Sequence, residues 1–199
     1  MEYVAFEPGI EVNGQTVNSV VEAFALFKKI PSDILLGLGI GRPGPDGLVS
    51  MLPDEWFSHE KWLEAFKAIG QAVGSGAIYG IGMKIPECAI FPTWVNDVHS
   101  AVKSVDFAYH MNHRKGGKVM FDPDTGVIAE GIGHYGYTPI AGEKRILSTC
   151  NNPYPCDLDK GILTTMARRF APDAWVDHVE PDVCRKKGHD SCTYLITWR

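Results

Sequence analysis

The stretch KRILSTCNNPYPCDLDKGILTTMARRFAPDAWVDHVEPDVCRKKGHDSCTYLITW, residues 144–198, decides the fold class. Lys144 to Thr149 reads as a strand. Asp157 to Phe170 follows as a helix, with Leu158, Ile162, Met166 and Phe170 on one face. Asp157 and Asp159 stand in its first turn and Arg168 and Arg169 in its last, the polarity that the helix dipole favours. Trp175 to Cys184 and Ser191 to Trp198 then read as a hairpin around Arg185 to Asp190. Upstream, Lys118 to Phe121 and Val127 to Tyr137 read as two more strands, separated by the turn Asp122-Pro-Asp-Thr-Gly126. Two helices precede them. One runs from His59 to Val73 behind Ser58 as its cap, with Trp62, Phe66, Ile69 and Val73 inward, and ends at Gly74-Ser-Gly76. The other runs from about Val95 to Asn112 and closes at Gly116-Gly117. Helices first, then sheet, helix and a terminal hairpin make an α+β fold: helices packed on an antiparallel sheet, ending in a cysteine-bearing β-hairpin.

The first fifty residues are less regular. Tyr3 to Val12 reads as a short strand, Asn13-Gly14 as a turn, and Gln15 to Phe27 as a mixed apolar segment. Gly37 to Gly47 is a loop that contains a formal G-x-G-x-x-G from Gly39 to Gly44. A dinucleotide site needs a helix to start there, and Pro43 and Pro45 stand in its place, so the loop is read as a glycine-rich turn.

The chain has 199 residues, 45% hydrophobic and 22% charged, which suits one globular domain. We read it as a single domain, 1–199, made of an N-terminal strand and loop region (1–50), a helical region (51–115) and a region of sheet, helix and hairpin (116–199). With 19 basic against 24 acidic residues the net charge is −5, which argues against a nucleic-acid partner. Neither a signal peptide nor a membrane-spanning run is visible, so the cytoplasm is expected. There the five cysteines stay reduced, and clustered ones suggest metal ligands or catalytic groups.

Four of those cysteines lie in the last fifty residues, as Cys150-x5-Cys156 and Cys184-x7-Cys192. Thiolates at two paired sites suggest zinc, with an iron–sulfur cluster as the second choice. Cys156 would start a helix, where free N–H groups stabilise a thiolate. His178, Glu180 and Asp182 would share the Cys184 face of a regular strand, so any of them could replace Cys150 as fourth ligand. The same fifty residues, from Cys150-Asn-Asn-Pro-Tyr-Pro-Cys156-Asp-Leu-Asp159 to Cys184-Arg-Lys-Lys-Gly188-His-Asp-Ser-Cys192-Thr-Tyr, resemble the end of the 4-vinyl reductase or hydrocarbon-binding domain superfamily, to which phenol- and xylene-responsive sensor domains belong. The Cys-x5-Cys-x2-Asp and Gly-x3-Cys-x-Tyr pieces are also similar to the amino-thiazoline-carboxylate hydrolase-like family. The first resemblance implies a zinc site that includes Cys156, Cys184 and Cys192, with Glu180 as an acidic fourth ligand. The second points instead to Cys150.

A second constellation lies on the helix ending near Asn112. His99, Lys103, Asp106, His110 and His113 are spaced four and three residues apart, which puts them on one face. The face is either solvated, opposite a core stripe of Val98, Val102, Val105 and Tyr109, or turned to a ligand, with Asp106 orienting an imidazole. Gly131-Ile-Gly-His134-Tyr-Gly-Tyr137 reads as a strand that another group can approach closely, or that bulges. Cys88, with no histidine near in sequence, reads as a core thiol.

The expected function is a sensor-type module binding a small apolar or aromatic ligand, a class supplied by the resemblance. Tyr109, His110, His113, His134 and Tyr137 are its candidate ligand-binding residues, and Cys150, Cys156, Cys184 and Cys192 its candidate zinc ligands. The alternative is a zinc- or cysteine-dependent hydrolase of an amide or a small heterocyclic ring. A third reading is an adaptor forming a homodimer through its apolar helix stripes.

Overall fold

In a computed structural model the described residues are 1–24 and 28–199; the last residues of the expected Gln15 to Phe27 segment, 25–27, lie outside them. The fold is α+β with antiparallel pairing throughout, as expected. Strand β1 (Ile10–Asn13) lies between β4 (Trp56–Ser58) and β5 (His113–Lys115), with β6 (Lys118–Val119) at the edge. Val12 stands opposite both Phe57 and His113. Asn13-Gly14 is a helix start and not a turn. The Asn13 side chain accepts the Thr16 N–H at 2.8 Å and caps α1 (Gly14–Ala23). Helix α2 (Lys29–Gly37) and the two-residue strands β2 (Arg42–Pro43) and β3 (Val49–Ser50) take up the glycine-rich region.

Helix α3 (His59–Val73) has the expected limits and the Ser58 cap. Gly74 then reverses the chain at φ 80° and α4 (Ser75–Lys84) begins at once. Three internal glycines hide α4 in the sequence, since each lowers helix propensity by roughly 1 kcal/mol. Their use lies in α4's packing on α6 (Cys156–Arg168). A Cβ on Gly82 would lie 2.2 Å from the Leu158 carbonyl oxygen, and one on Gly161 2.3 Å from that of Tyr79. A 3-10 turn, Ile85–Cys88, ends this segment, and Cys88 is exposed there, not a core thiol.

Helix α5 (Val98–Met111) opens on a capping box between Asp97 and Ser100. The expected strand from Val127 to Tyr137 is largely irregular. It makes single bridges, Ile128 to Phe121 and Tyr135 to Cys150, and positive φ at Gly131 and Gly133 interrupts its pleat. The second sheet has the order β7 (Thr138–Pro139), β8 (Arg145–Cys150), β10 (Cys192–Thr197), β9 (Trp175–His178). The first hairpin strand thus stops six residues before Cys184. No helix among the described residues is long and apolar enough to cross a membrane.

Candidate functional site

The helices line a half-open cavity of about 130 Å³ between α1, α3, α5, α6 and the 3-10 turn. Val20, Phe66, Val105, Leu158, Ile162 and Met166 give it apolar walls. Seven side chains on its wall carry nitrogen or oxygen atoms, and six of them, all but Thr16, are engaged inside the protein, Asn112 with the Asn13 side chain and the Ala108 carbonyl. Trp62 Nε1–H donates to Tyr154 Oη at 3.1 Å. Tyr154 Oη lies 3.0 Å from His113 Nε2, and His113 Nδ1 lies 2.7 Å from the Tyr109 carbonyl oxygen. That carbonyl can only accept, so the proton sits on Nδ1, and Nε2 accepts from the Tyr154 hydroxyl. Tyr109 Oη donates to the Ile132 carbonyl at 2.7 Å, and Tyr135 Oη to Asp159 Oδ1 at 2.5 Å. Burial raises the phenol pKa of all three tyrosines, so they stay neutral, and it lowers His113 to about 4. The cavity therefore presents apolar surface despite its tyrosines and histidine.

Of the expected ligand-binding residues, Tyr109 and His113 line this cavity. His110 and His134 do not. They meet at Asp106 on the other side of Tyr135, with ring centroids 5.0 Å apart. Tyr137 lies elsewhere, its hydroxyl 2.9 Å from His99 Nδ1. The helix face is not a solvated one either: His110 and His113 are buried and only Lys103 is exposed. Sequence reasoning missed His59, which is 1% exposed and has no hydrogen-bond partner on either nitrogen. It packs edge-on against His113 at 4.9 Å, and burial lowers its pKa to about 2. It also missed Trp62 and Tyr154 as polar groups, having read Trp62 only as part of an apolar stripe.

The cysteines separate in a different way from that expected. Cys156, Cys184 and Cys192 converge, with Sγ–Sγ distances of 3.5 Å from Cys184 to Cys156 and 3.6 Å from Cys192 to Cys184. Cys150 faces Cys192 across the β8–β10 pair, but its thiol lies 3.7 Å from Ser148 Oγ and does not join the three. Glu180 is exposed, and Asp182 pairs with Lys187. The trio is satisfied by hydrogen bonds. Cys156 keeps its proton, and Cys192 is held to about 3, first by the Cys156 thiol, then by the Arg185 N–H against the effect of burial. Beside it Arg185, which opens the expected hairpin turn, is 1% exposed. Its guanidinium pairs with the buried Asp159 carboxylate and with Asn152, tying the hairpin to α6.

No family model and no curated protein matches the chain. Solved structures do. An H-NOX protein from S. oneidensis in the Fe(II) ligation state superposes with a TM-score of 0.61 at 15% identity, over 93% of this chain and 95% of that one. A structure from a study of heme distortion in the H-NOX family gives 0.62 at 15% identity, over 94% of this chain and 95% of that one. An oxygen-binding H-NOX domain related to soluble guanylate cyclases, in its oxygen complex, gives 0.58 at 14% identity, over 94% and 92%. Identity this low shows a shared fold. It corrects the resemblance to the 4-vinyl reductase superfamily and to the hydrolase-like family: that resemblance rests on one quarter of the chain, whereas the H-NOX likeness spans nearly all of it. The zinc cofactor is corrected with it. The structures sharing this fold are described through heme and Fe(II), and of the four thiols expected to share the ion only Cys156, Cys184 and Cys192 converge.

The residues present do not fit a heme either. Cofactor pockets run to roughly 300–1,000 Å³, against a cavity of about 130 Å³ here. The one imidazole on its wall, among the described residues, has both nitrogens engaged, so none is free as an axial ligand. Among the described residues no lysine or arginine lines the cavity to pair with propionates.

Proposed function

We propose that this chain is a small-molecule-binding module of sensor type that works without heme, over 1–199 as one domain. Its ligand is a compact apolar molecule of about the size of one aromatic ring. The observation that carries this reading is the cavity itself: about 130 Å³, apolar, and with six of the seven polar side chains on its wall already hydrogen-bonded within the protein. A dry apolar cavity of roughly 150 Å³ takes up benzene or xenon. A ligand that offered several strong donors or acceptors would find only the Thr16 hydroxyl there and would lose its hydration. The sensory side of the proposal draws support from the fold neighbour described as oxygen binding and related to soluble guanylate cyclases. Among the described residues no cysteine and no carboxylate lines the cavity, so the hydrolytic alternative has no nucleophile there.

The test is titration of the protein with benzene and with phenol, followed by amide NMR, beside a hemin titration followed by absorption. Saturable shifts at Val105, Ala108 and Leu158 are expected, and Ala108→Leu, which fills the cavity, should abolish them. The proposal fails if neither compound shifts these residues. It also fails if hemin binds one to one with a histidine-ligated spectrum that His113→Ala removes.

A further inference from the structure

Beyond the cavity, the molecule brings four metal-ligating side chains to one place, two from each of two segments. Asp106 and His110 are one turn apart in the second half of α5; Glu130 and His134 are four residues apart in the irregular segment beside it. The Tyr135 N–H donates to Asp106 Oδ1 at 2.8 Å and clamps the segment to the helix. His134 Nδ1 then lies 3.0 Å from Asp106 Oδ2, and His134 Nε2 lies 3.0 Å from Glu130 Oε2. His110 is 0% exposed, and its Nδ1 donates to the Asp106 carbonyl at 2.8 Å. That bond fixes the tautomer and leaves Nε2 bare; it has no partner in the protein.

A protonated His134 held between two carboxylates would account for half of this arrangement. It leaves the bare nitrogen of His110 unexplained, and a buried polar atom without a partner is uncommon enough to need a reason. One atom from each of Asp106, His110 and His134 lies within 4.8 Å of the other two. Ligands at about 2.1 Å from a first-row ion stand roughly 3.0–3.4 Å apart in octahedral cis or tetrahedral positions. The Asp106–His134 pair is already at 3.0 Å, and His110 closes on them by a side-chain adjustment of up to about 1.8 Å. The remaining contacts are those that surround a metal-bound imidazole: a backbone carbonyl on His110 Nδ1–H and a carboxylate, Glu130, on His134 Nε2–H.

We propose that Asp106, His110 and His134 form a binding site for a divalent first-row transition-metal ion, with Glu130 holding the His134 tautomer from outside. Two imidazoles and one carboxylate with open positions are the donor set of non-heme Fe(II). Thiolates take no part, so the site is distinct from the cysteine cluster. Loading displaces the proton on His134 Nδ1 and leaves the one on Nε2 with Glu130. The ion would sit one residue from the cavity, since the Tyr135 backbone holds Asp106 while its ring lines the cavity wall.

The experiment is a Co(II) titration of the chelator-treated full-length protein, read by calorimetry and visible absorption, with anaerobic Fe(II) as competitor. One Co(II) per chain is expected, with weak d–d bands and no sulfur-to-cobalt charge transfer in the near ultraviolet. Fe(II) should displace it only in excess, since such a site holds Co(II) the more tightly. His134→Gln, a third exposed and therefore safe for folding, should weaken binding at least tenfold, as should Asp106→Asn. Cys184→Ser should leave it unchanged. The proposal is overturned if no Co(II) binds, if His134→Gln binds as the wild type does, or if the bound ion shows a thiolate band that Cys184→Ser removes.

Discussion

Acid should destabilise this protein through two imidazoles that lie in edge contact. His59 and His113 are both about 1% exposed, with folded-state pKa values of about 2 and about 4, against 6.5 for an unperturbed histidine. Burial is the main cause in each; His113 adds to it at His59, while at His113 the hydrogen bond to the Tyr109 carbonyl partly offsets it and His110 adds to it. A base with a depressed folded-state pKa is neutral in the fold while the unfolded chain takes up a proton below pH 6.5. Its contribution to stability is therefore complete above pH 6.5 and is lost as the pH falls, toward 4 for His113 and toward 2 for His59. From pH 7 to pH 5 each costs about 2 kcal/mol, or about 4 kcal/mol together, at 1.36 kcal/mol per unit. That is a large share of a total stability of roughly 5–15 kcal/mol. Urea melts at pH 7, 6 and 5 measure it, with His59→Phe as the diagnostic variant. The substitution keeps a ring in the slot and removes one titrating group along with two unpartnered nitrogens. The variant should lose about 2 kcal/mol less than the wild type between pH 7 and pH 5. An unchanged pH dependence in His59→Phe would show that its imidazole is not held neutral by burial, and the reasoning would collapse.

Three further outcomes follow from packing. Gly82→Ala should destabilise by about 3 kcal/mol or more, against the gain of roughly 1 kcal/mol that helix propensity alone predicts, because its Cβ meets the Leu158 carbonyl; a rise in Tm would disprove the close α4–α6 contact. Arg185→Met should cost about 3–5 kcal/mol, or roughly 6–20 °C in Tm, by leaving Asp159 charged and buried. Asp159→Leu in the same chain should recover part of that loss, and no recovery would count against the pair. Under native conditions one thiol in five should react quickly with an alkylating reagent, and Cys88→Ser should abolish that fast phase with a stability change within about 0.5 kcal/mol. Rapid labelling of Cys150 would contradict its burial.

Much of the architecture could be read locally. The α3 cap, the α5 and α6 stripes and the antiparallel class all followed from periodicity and capping. What failed did so where tertiary contact outweighs local preference. α4 looks like a glycine-rich linker until α6 is laid against it, and the Gly131 to Tyr137 segment looks like a strand until Gly133 is seen to press on Asn151. The site was legible in residue type but not in grouping. The histidine spacing of α5 was visible, yet only the loop after Glu130 divides it, sending His113 to the cavity and His110 to Asp106 and His134. Asp159 and Arg185 each had an adequate local reason, a helix dipole and a hairpin turn. Their pairing across 26 residues belongs to the fold alone. The three converging thiols were correctly singled out, but a short cysteine spacing is compatible with more than one fold and says little about what the thiols hold.

The central position of β1 has a consequence for biosynthesis. The strand leaves a ribosome ahead of both its neighbours, β4 at residues 56–58 and β5 at 113–115. At roughly 5–20 residues per second, the hundred residues between Asn13 and His113 take about 5–20 s to appear. For that time Ile10 and Val12 sit on a strand with at least one unpaired edge, open to the same strand on a neighbouring nascent chain. On a polysome the yield of folded molecules is then set by how well that edge is shielded, and slower translation through α3 and α4 would lower it.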